Sequence, residues 1–166
     1  MTRAHAVVDT PIGPLTVIAD GNELREVRFP NAPPSAGGAG PCVRHDAVLV
    51  EAAHQLGEYF DGTRVEFDLP LGPVGTPFQL AAWWGLATIP YGETVSYGEQ
   101  ARRLGLDGGT ARAVGAANGR NPLPIVLPCH RVIGSDGRLV GFGGGLETKA
   151  WLLHHERRVT GVALPF

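Results

Sequence analysis

The sequence predicts an α/β fold of the α+β kind in two parts, and three observations carry that prediction. Short alternating strands with turn signals fill the first 30 residues. Apolar residues in the second half recur mostly at helical spacing. Between them "PLGPVGTP" (residues 70–77) punctuates the chain and places a domain boundary near residue 74. The expected parts are therefore residues 1–74 and 75–166. At 166 residues and 43% apolar composition, the chain is long and apolar enough for one large or two small cores.

Each element has its own signal. "AHAVVDT", "GPLTVIA" and "ELREVRFP" are expected strands joined by the turns "TPIGP" and "ADGN". "PNAPPSAGGAG" (residues 30–40) has no charge and no periodicity, and is expected to be a mobile loop. From Arg44 to Phe60 the residues Leu49, Ala52, Ala53, Leu56, Tyr59 and Phe60 fall at helical spacing, and "DG" ends that helix. "TRVEFDLPL" (residues 63–71) alternates as a further strand. In the second part, Thr76 is the expected N-cap and Pro77 the first-turn residue of a helix "TPFQLAAWWGLATIP". Helices over about Ser96–Leu104 and Thr110–Gly119 follow, with Thr110 as a cap and "GLDGG" between them. The apolar run "PLPIVLP", a hairpin at "GSDG", a glycine-rich "GFGGG" and a helix over about Leu146–Glu156 complete the chain.

No apolar run reaches the length of a membrane span. The N-terminal residues lack the basic-then-apolar layout of a signal peptide, so a cytoplasmic location is expected. Two cysteines, Cys42 and Cys129, do not make a disulfide scaffold. Net charge is −2, which alone argues against a nucleic-acid partner. Its distribution argues the other way. Arg102, Arg103, Arg112, Arg120, Arg131 and Arg138 stand against Asp107 and Asp136 alone between residues 101 and 138, a local charge of +4. A solvated face and a DNA-facing surface both fit that charge.

"SYGEQARRLGLDGGTARAVGAANGR" has the layout of a helix-turn-helix. The second helix is built from Ala111, Ala113, Gly115, Ala116 and Ala117, with Arg112 the one long cation in its first turn. Small residues allow a close approach to DNA phosphates and groove, with Arg112 available as a wedge. They equally allow a close helix–helix contact.

In "LPCHR" (residues 127–131) the thiol of Cys129 sits between a proline and a histidine. A cysteine is nucleophilic as thiolate and needs a base or a positive environment. His130 is the adjacent base, but neighbours on a strand point opposite ways, so contact requires a bend or a bridging water. Pro128 biases the chain toward such a bend. Glu156 is the candidate to orient His130. A buried structural cysteine is the competing reading. Cys42, His45 and His54 lack a full set of metal ligands, so Cys42 is read as structural and no metal is expected. His154 and His155 are expected at the surface.

"IPYGETVSYGEQA" and "ARAVGAANGRNPLPIVLPCHRVIGSDGRLVGFGGGLETKAWLLHHE" together resemble the O6-alkylguanine-DNA alkyltransferases, also called methylated-DNA–protein-cysteine methyltransferases. The resemblance covers most of residues 76–156 and is specific at "NPLPIVLPCHRV". It implies a small ribonuclease-H-like N-terminal domain and a mostly helical C-terminal domain. It implies repair of double-stranded DNA containing O6-alkylguanine, contacted through the minor groove, by flipping the base into a pocket. The alkyl group passes irreversibly to Cys129, once per molecule, without a cofactor.

The same resemblance makes His130 the general base through a water, Glu156 its tautomer anchor, and Asn121 the joint between recognition helix and active-site arm. It makes Tyr97 the group that crowds the target phosphate and helps protonate the base. Arg112 would fill the hole left in the duplex, and Thr110, Ala111, Gly115, Arg120 and Ser135 would touch backbone or groove. Carbonyls of Cys129 and Val132 and the N–H of Gly143 would read the guanine edge. Phe142 stands where the family usually has tyrosine, which removes a hydroxyl from the pocket wall. "FQLAAWWGL" lacks the family's arginine after "FQ", and the zinc ligands of some members are absent. A monomer is expected, with cooperative assembly on DNA left open. Two rivals stand beside this reading. A non-catalytic lesion sensor of the same fold would lack the cysteine, and an unrelated cysteine hydrolase would leave the arginine-bearing helix pair without a purpose.

Overall fold

The computed structural model describes residues 3–43 and 46–161. The chain divides into two units between Val74 and Gly75. The first holds an antiparallel sheet of β1 (Arg3–Val8), β2 (Leu15–Asp20) and β3 (Glu23–Arg28) in that order, and helix α1 (Ala47–Asp61). Hairpin register pairs Val8 with Leu15 and Arg3 with Asp20. Leu15, Val17, Ile18 and Ala19 of the central strand are buried with Leu24 and Val27 of β3. From α1, Leu49, Ala52, Leu56 and Tyr59 complete this core. Asp46 caps α1 by accepting from the N–H groups of Val48 and Leu49. Arg44, where the sequence pattern began, lies outside the described residues, as does His45.

The strand expected over residues 63–71 does not form. Only an isolated bridge joins Leu24 to Leu71. The buried side chain of Gln55 takes the place of a partner strand. It accepts from the Asp68 N–H at 2.8 Å and donates to the Asp68 carbonyl at 2.9 Å. Pro70 has no N–H for a ladder. Alternation is present, but Gln55 takes the Asp68 backbone groups, and only the Pro70 carbonyl and Gly72 N–H pair with Leu24. In the 30–40 loop, Arg3 donates to the Gly38 carbonyl at 2.8 Å and to Ser35 at 3.0 Å. Cys42 is exposed, beside His5 in a backbone bridge.

The second unit is mostly helical: α2 (Pro77–Leu86), α3 (Tyr97–Arg103), α4 (Ala111–Gly119) and α5 (Leu146–Thr160). Thr76 and Gln79 form a reciprocal capping box on α2, and Ser96 caps α3. Thr110 does not cap α4. Residues 108–110 form a 3₁₀ turn, and the Thr110 hydroxyl donates instead to the Asp107 carbonyl at 2.7 Å. The tight turn supplies a nearer acceptor than the helix supplies donors. The "GSDG" turn closes through Gly134 N–H to the Arg138 carbonyl at 2.8 Å, but no returning strand follows. Its first arm, β5 (Val132–Ile133), pairs in parallel with β4 (Val95–Ser96). That two-residue pairing holds the start of α3 against the chain that leaves Cys129. α5 runs one turn beyond its expected end, to Gly161 at φ 75°. His154 is exposed, but His155 is buried against Trp151, their rings stacked 4.9 Å apart.

Candidate active site

The segment after α4 is a buried arm held by one side chain. Asn121 donates from Nδ2 to the Leu127 carbonyl at 2.8 Å and accepts the Leu123 N–H at 3.0 Å. Inside the loop it closes, Ile125 sits at φ 74°, a region a β-branched residue occupies only when its surroundings force it. Residues 123–127 are all buried. Pro128, at φ −80° and ψ 69°, makes an inverse γ-turn, closed by the Cys129 N–H on the Leu127 carbonyl at 2.8 Å. Cys129–Arg131 then form a single 3₁₀ turn. The bend expected at Pro–Cys is therefore made of a γ-turn followed by a 3₁₀ turn.

Cys129 is 7% exposed. Burial pushes its thiol up from the ordinary cysteine value, against a hydrogen bond with Asn121, the Lys149 charge and its own N–H. At rest the sulfur is protonated. The chain contains one lysine, Lys149, and it is fully buried here. Its ammonium donates to the carbonyls of Val132 at 2.6 Å and Val140 at 3.0 Å, and approaches the Tyr97 hydroxyl at 3.4 Å. Burial pushes the Lys149 amine down to about 8, opposed by the Cys129 sulfur. Tyr97 donates to the same Val140 carbonyl at 3.0 Å. Burial, and then the sulfur, raise its phenol. Tyr97 is thus a neutral phenol at physiological pH, able to give a proton.

Behind the sulfur lies a buried charge relay. His130 Nε2 meets Glu156 Oε2 at 2.6 Å. Arg131 donates to both Glu156 oxygens, at 2.9 and 3.1 Å, and to the Ile89 carbonyl at 2.7 Å. The Gly92 N–H adds a bond to Glu156 Oε1 at 3.0 Å. Burial alone would raise the Glu156 carboxyl, but His130 and Arg131 outweigh it and hold the group well below the usual carboxylate range. An ionised Glu156 accepts only, so His130 carries its proton on Nε2. Its Nδ1 has no hydrogen-bond partner among the described residues and is left with a free lone pair. Burial pushes the His130 ring below its ordinary 6.5, opposed by Glu156, so the imidazole is neutral.

These shifts set the sign of the acid response. His130 takes up its proton more readily unfolded than folded, so stability is full above pH 6.5 and falls as pH drops below it. Glu156 is held ionised in the fold, so a second loss begins below about pH 4.5, where the unfolded carboxylate protonates. A urea midpoint measured across pH 7.5 to 4 is expected to decline in those two stages. A flat profile over the range would contradict a buried neutral His130 beside an ionised Glu156.

Tyr97, Ala111, Arg112, Gly115, Val140 and Gly141 line an open pocket of about 350 Å³, and its Tyr97 and Val140 are held by Lys149; Cys129 itself is not in the lining. A Cβ on Gly115 would lie 3.6 Å from the Tyr97 ring, an ordinary van der Waals contact, so Gly115 packs against the ring without being required by it. Thr110, Arg120, Ser135, Val132, Phe142 and Gly143, six of the expected contact residues, lie outside that lining. Thr110 is turned to Asp107. Arg120 follows α4, Ser135 is on the 134–137 turn, and both are exposed. Phe142 is half-buried and Gly143 exposed in the loop before α5. The Val132 carbonyl already accepts from Lys149, and that of Cys129 from the Val132 N–H. Arg131, counted with the basic stretch, is buried and neutralised by Glu156, so it adds nothing to a surface charge. Lys149 was missed by sequence reasoning; its signal was being the one lysine among thirteen arginines. Among the described residues, no three metal-ligating side chains converge, and no helix is long and apolar enough to cross a membrane.

Residues 77–158 match the family described as the 6-O-methylguanine DNA methyltransferase DNA-binding domain, and residues 4–73 match its ribonuclease-like domain. A methylated-DNA–protein-cysteine methyltransferase of Mycolicibacterium paratuberculosis is 46% identical over 160 residues, covering 96% of each chain. One of Methanosarcina acetivorans is 42% identical over 152 residues, 92% of this chain and 97% of that one. The crystal structure of Mycobacterium tuberculosis OGT in complex with DNA superposes with a TM-score of 0.86 at 45% identity, covering 94% of both chains.

Proposed function

Since the chain belongs to the 6-O-methylguanine DNA methyltransferase family, we propose that it repairs O6-alkylated guanine in DNA by moving the alkyl group to Cys129, once per molecule. One observation carries the assignment of the acceptor: the only buried thiol lies at the end of the Asn121-pinned arm, one residue from a neutral histidine whose other nitrogen is fixed by Glu156. A lesion sensor would need no such sulfur.

In this reading the recognition helix α4 enters the minor groove, and small residues Ala111 and Gly115 let its backbone come close. Arg112 takes the place of the target nucleotide as it leaves the stack. Thr110, Arg120 and Ser135 hold backbone phosphates and groove. The base enters beside Tyr97 and Val140, walled by Phe142, with the Gly143 N–H and the carbonyls of Cys129 and Val132 toward its edge. His130 Nδ1 takes the thiol proton through a bridging water. The S–C bond forms as the C–O6 bond breaks, and the electron pair stays on the guanine. Tyr97 supplies the proton that neutralises it, which lowers the barrier by meeting charge where it develops. Lys149 holds the Tyr97 hydroxyl and adds a positive field at the sulfur. The proton held on His130 passes through solvent to the Tyr97 phenolate, so both groups return to their resting forms, the protons balance, and no cofactor enters. The protein acts as a monomer in the cytoplasm, and its DNA affinity falls with salt as phosphate contacts require.

The test is stoichiometric. Duplex DNA carrying O6-[methyl-³H]guanine is incubated with excess and then limiting protein. One label per protein molecule, located on Cys129 by mass spectrometry, is expected. Repeated turnover, or binding without label on the protein, would overturn the proposal.

A further inference from the structure

We propose that the buried amide pair Gln100–Asn118 is a positioning device for alkyl transfer, fixing the register of α4 on α3 and with it the placement of Arg112 and the sulfur arm. The two side chains exchange hydrogen bonds in both directions, Gln100 Nε2 to Asn118 Oδ1 at 3.0 Å and Asn118 Nδ2 to Gln100 Oε1 at 2.7 Å. They are 2% and 7% exposed. A reciprocal pair of amides satisfies both groups in one relative setting only, and a shift of either helix leaves buried donors and acceptors unmade.

That directionality matters because the rest of the contact has little. α4 buries Val114 and Ala117 beside the pair, and small apolar surfaces define a helix's roll and slide weakly. A second directional bond acts at the same end: Trp83 Nε1 donates to the Ala117 carbonyl at 2.7 Å. Gln100 Nε2 also faces the Ala82 carbonyl at 3.4 Å, so α2 joins the same anchor.

The location ties the anchor to the chemistry. Gln100 lies one turn after Tyr97, and Asn118 lies one turn before Asn121, whose side chain holds the arm that ends at Cys129. Gly115, against the Tyr97 ring, lies one turn before Asn118. Groups expected to act on the base and on the sulfur thus branch from two helices pinned to each other at this point. The inference rests on the alkyl-transfer reading above, because it concerns the transfer step of that reaction.

The experiment separates binding from transfer. Gln100→Met/Asn118→Leu replaces the pair by apolar groups of similar size. The variant is expected to fold, to bind undamaged duplex with little change, and to transfer alkyl at saturating DNA about 10- to 100-fold more slowly, the scale of a small misplacement of reacting groups. The exchanged pair Gln100→Asn/Asn118→Gln, which restores two complementary amides, is expected to recover most of that loss. If the apolar double variant does not fold, Asn118→Ala is measured in the same way. A folded variant transferring at the parental saturated rate overturns the positioning role, as does an exchanged pair no faster than the apolar one. The parent is run alongside, and a parent that transfers nothing defeats the functional reading and not this inference alone.

Discussion

Cys129→Ser is expected to bind DNA as the parent does and to carry no alkyl group after exposure to alkylated duplex. The reason is chemical. Even pushed up by burial, a thiol can be ionised by a neighbouring imidazole within its reach, whereas a serine hydroxyl is a far weaker acid and a poorer nucleophile toward carbon. The change is small in volume at a site 7% exposed, and Asn121 can bond a hydroxyl as it bonds the thiol, so the arm keeps its path. Affinity is expected to stay within about threefold, under ~1 kcal/mol. Fluorescence anisotropy gives the affinity and intact-protein mass the transfer. If binding and transfer vanish together, the sulfur is part of the scaffold and the acceptor lies elsewhere.

Glu156→Ala is expected to be the most destabilising single change in the second unit. It leaves the Arg131 guanidinium, His130 Nε2–H and the Gly92 N–H buried without their acceptor. Removing one partner of a buried ion pair costs about 3–5 kcal/mol, mostly because the remaining charge has been stripped of water and given nothing in return. Glu156→Gln keeps the shape and an acceptor for His130 and is expected to lose less stability. It is expected to lose transfer nonetheless, because His130 is no longer held beside a full negative charge. Urea unfolding at pH 7.5 measures the first effect and single-turnover labelling the second. A midpoint shift in Glu156→Ala equivalent to less than about 1 kcal/mol would mean that the pair is no stronger than a surface one.

Local patterns were legible where one segment satisfied itself. The three strands follow from alternation and turns, and α2 from Thr76, Pro77 and Gln79 in sequence. Legibility failed where a side-chain contact that the pattern does not encode decided the outcome. Gln55 dismantled the strand expected at 63–71 by taking the Asp68 backbone. Asp107 drew Thr110 away from its helix, and Trp151 drew His155 inside. At the site, the residues near Cys129 in sequence were recognisable, and Glu156 came with the last helix. Lys149 and the Gln100–Asn118 pair were not, because a single amine or amide has no period and no spacing. Their meaning comes only from the carbonyls and side chains that converge on them.

The solitary amine beneath the sulfur has a practical consequence. Protein grown on lysine carrying ¹³C at the ε-methylene will give one side-chain resonance from this sequence, and it will come from a position flanked by the Tyr97 ring and sensitive to the charge on Cys129. The molecule carries its own isotopic reporter. Adding an alkyl group to the neighbouring atom should register as one line moving, with no crowding from other lysines to resolve.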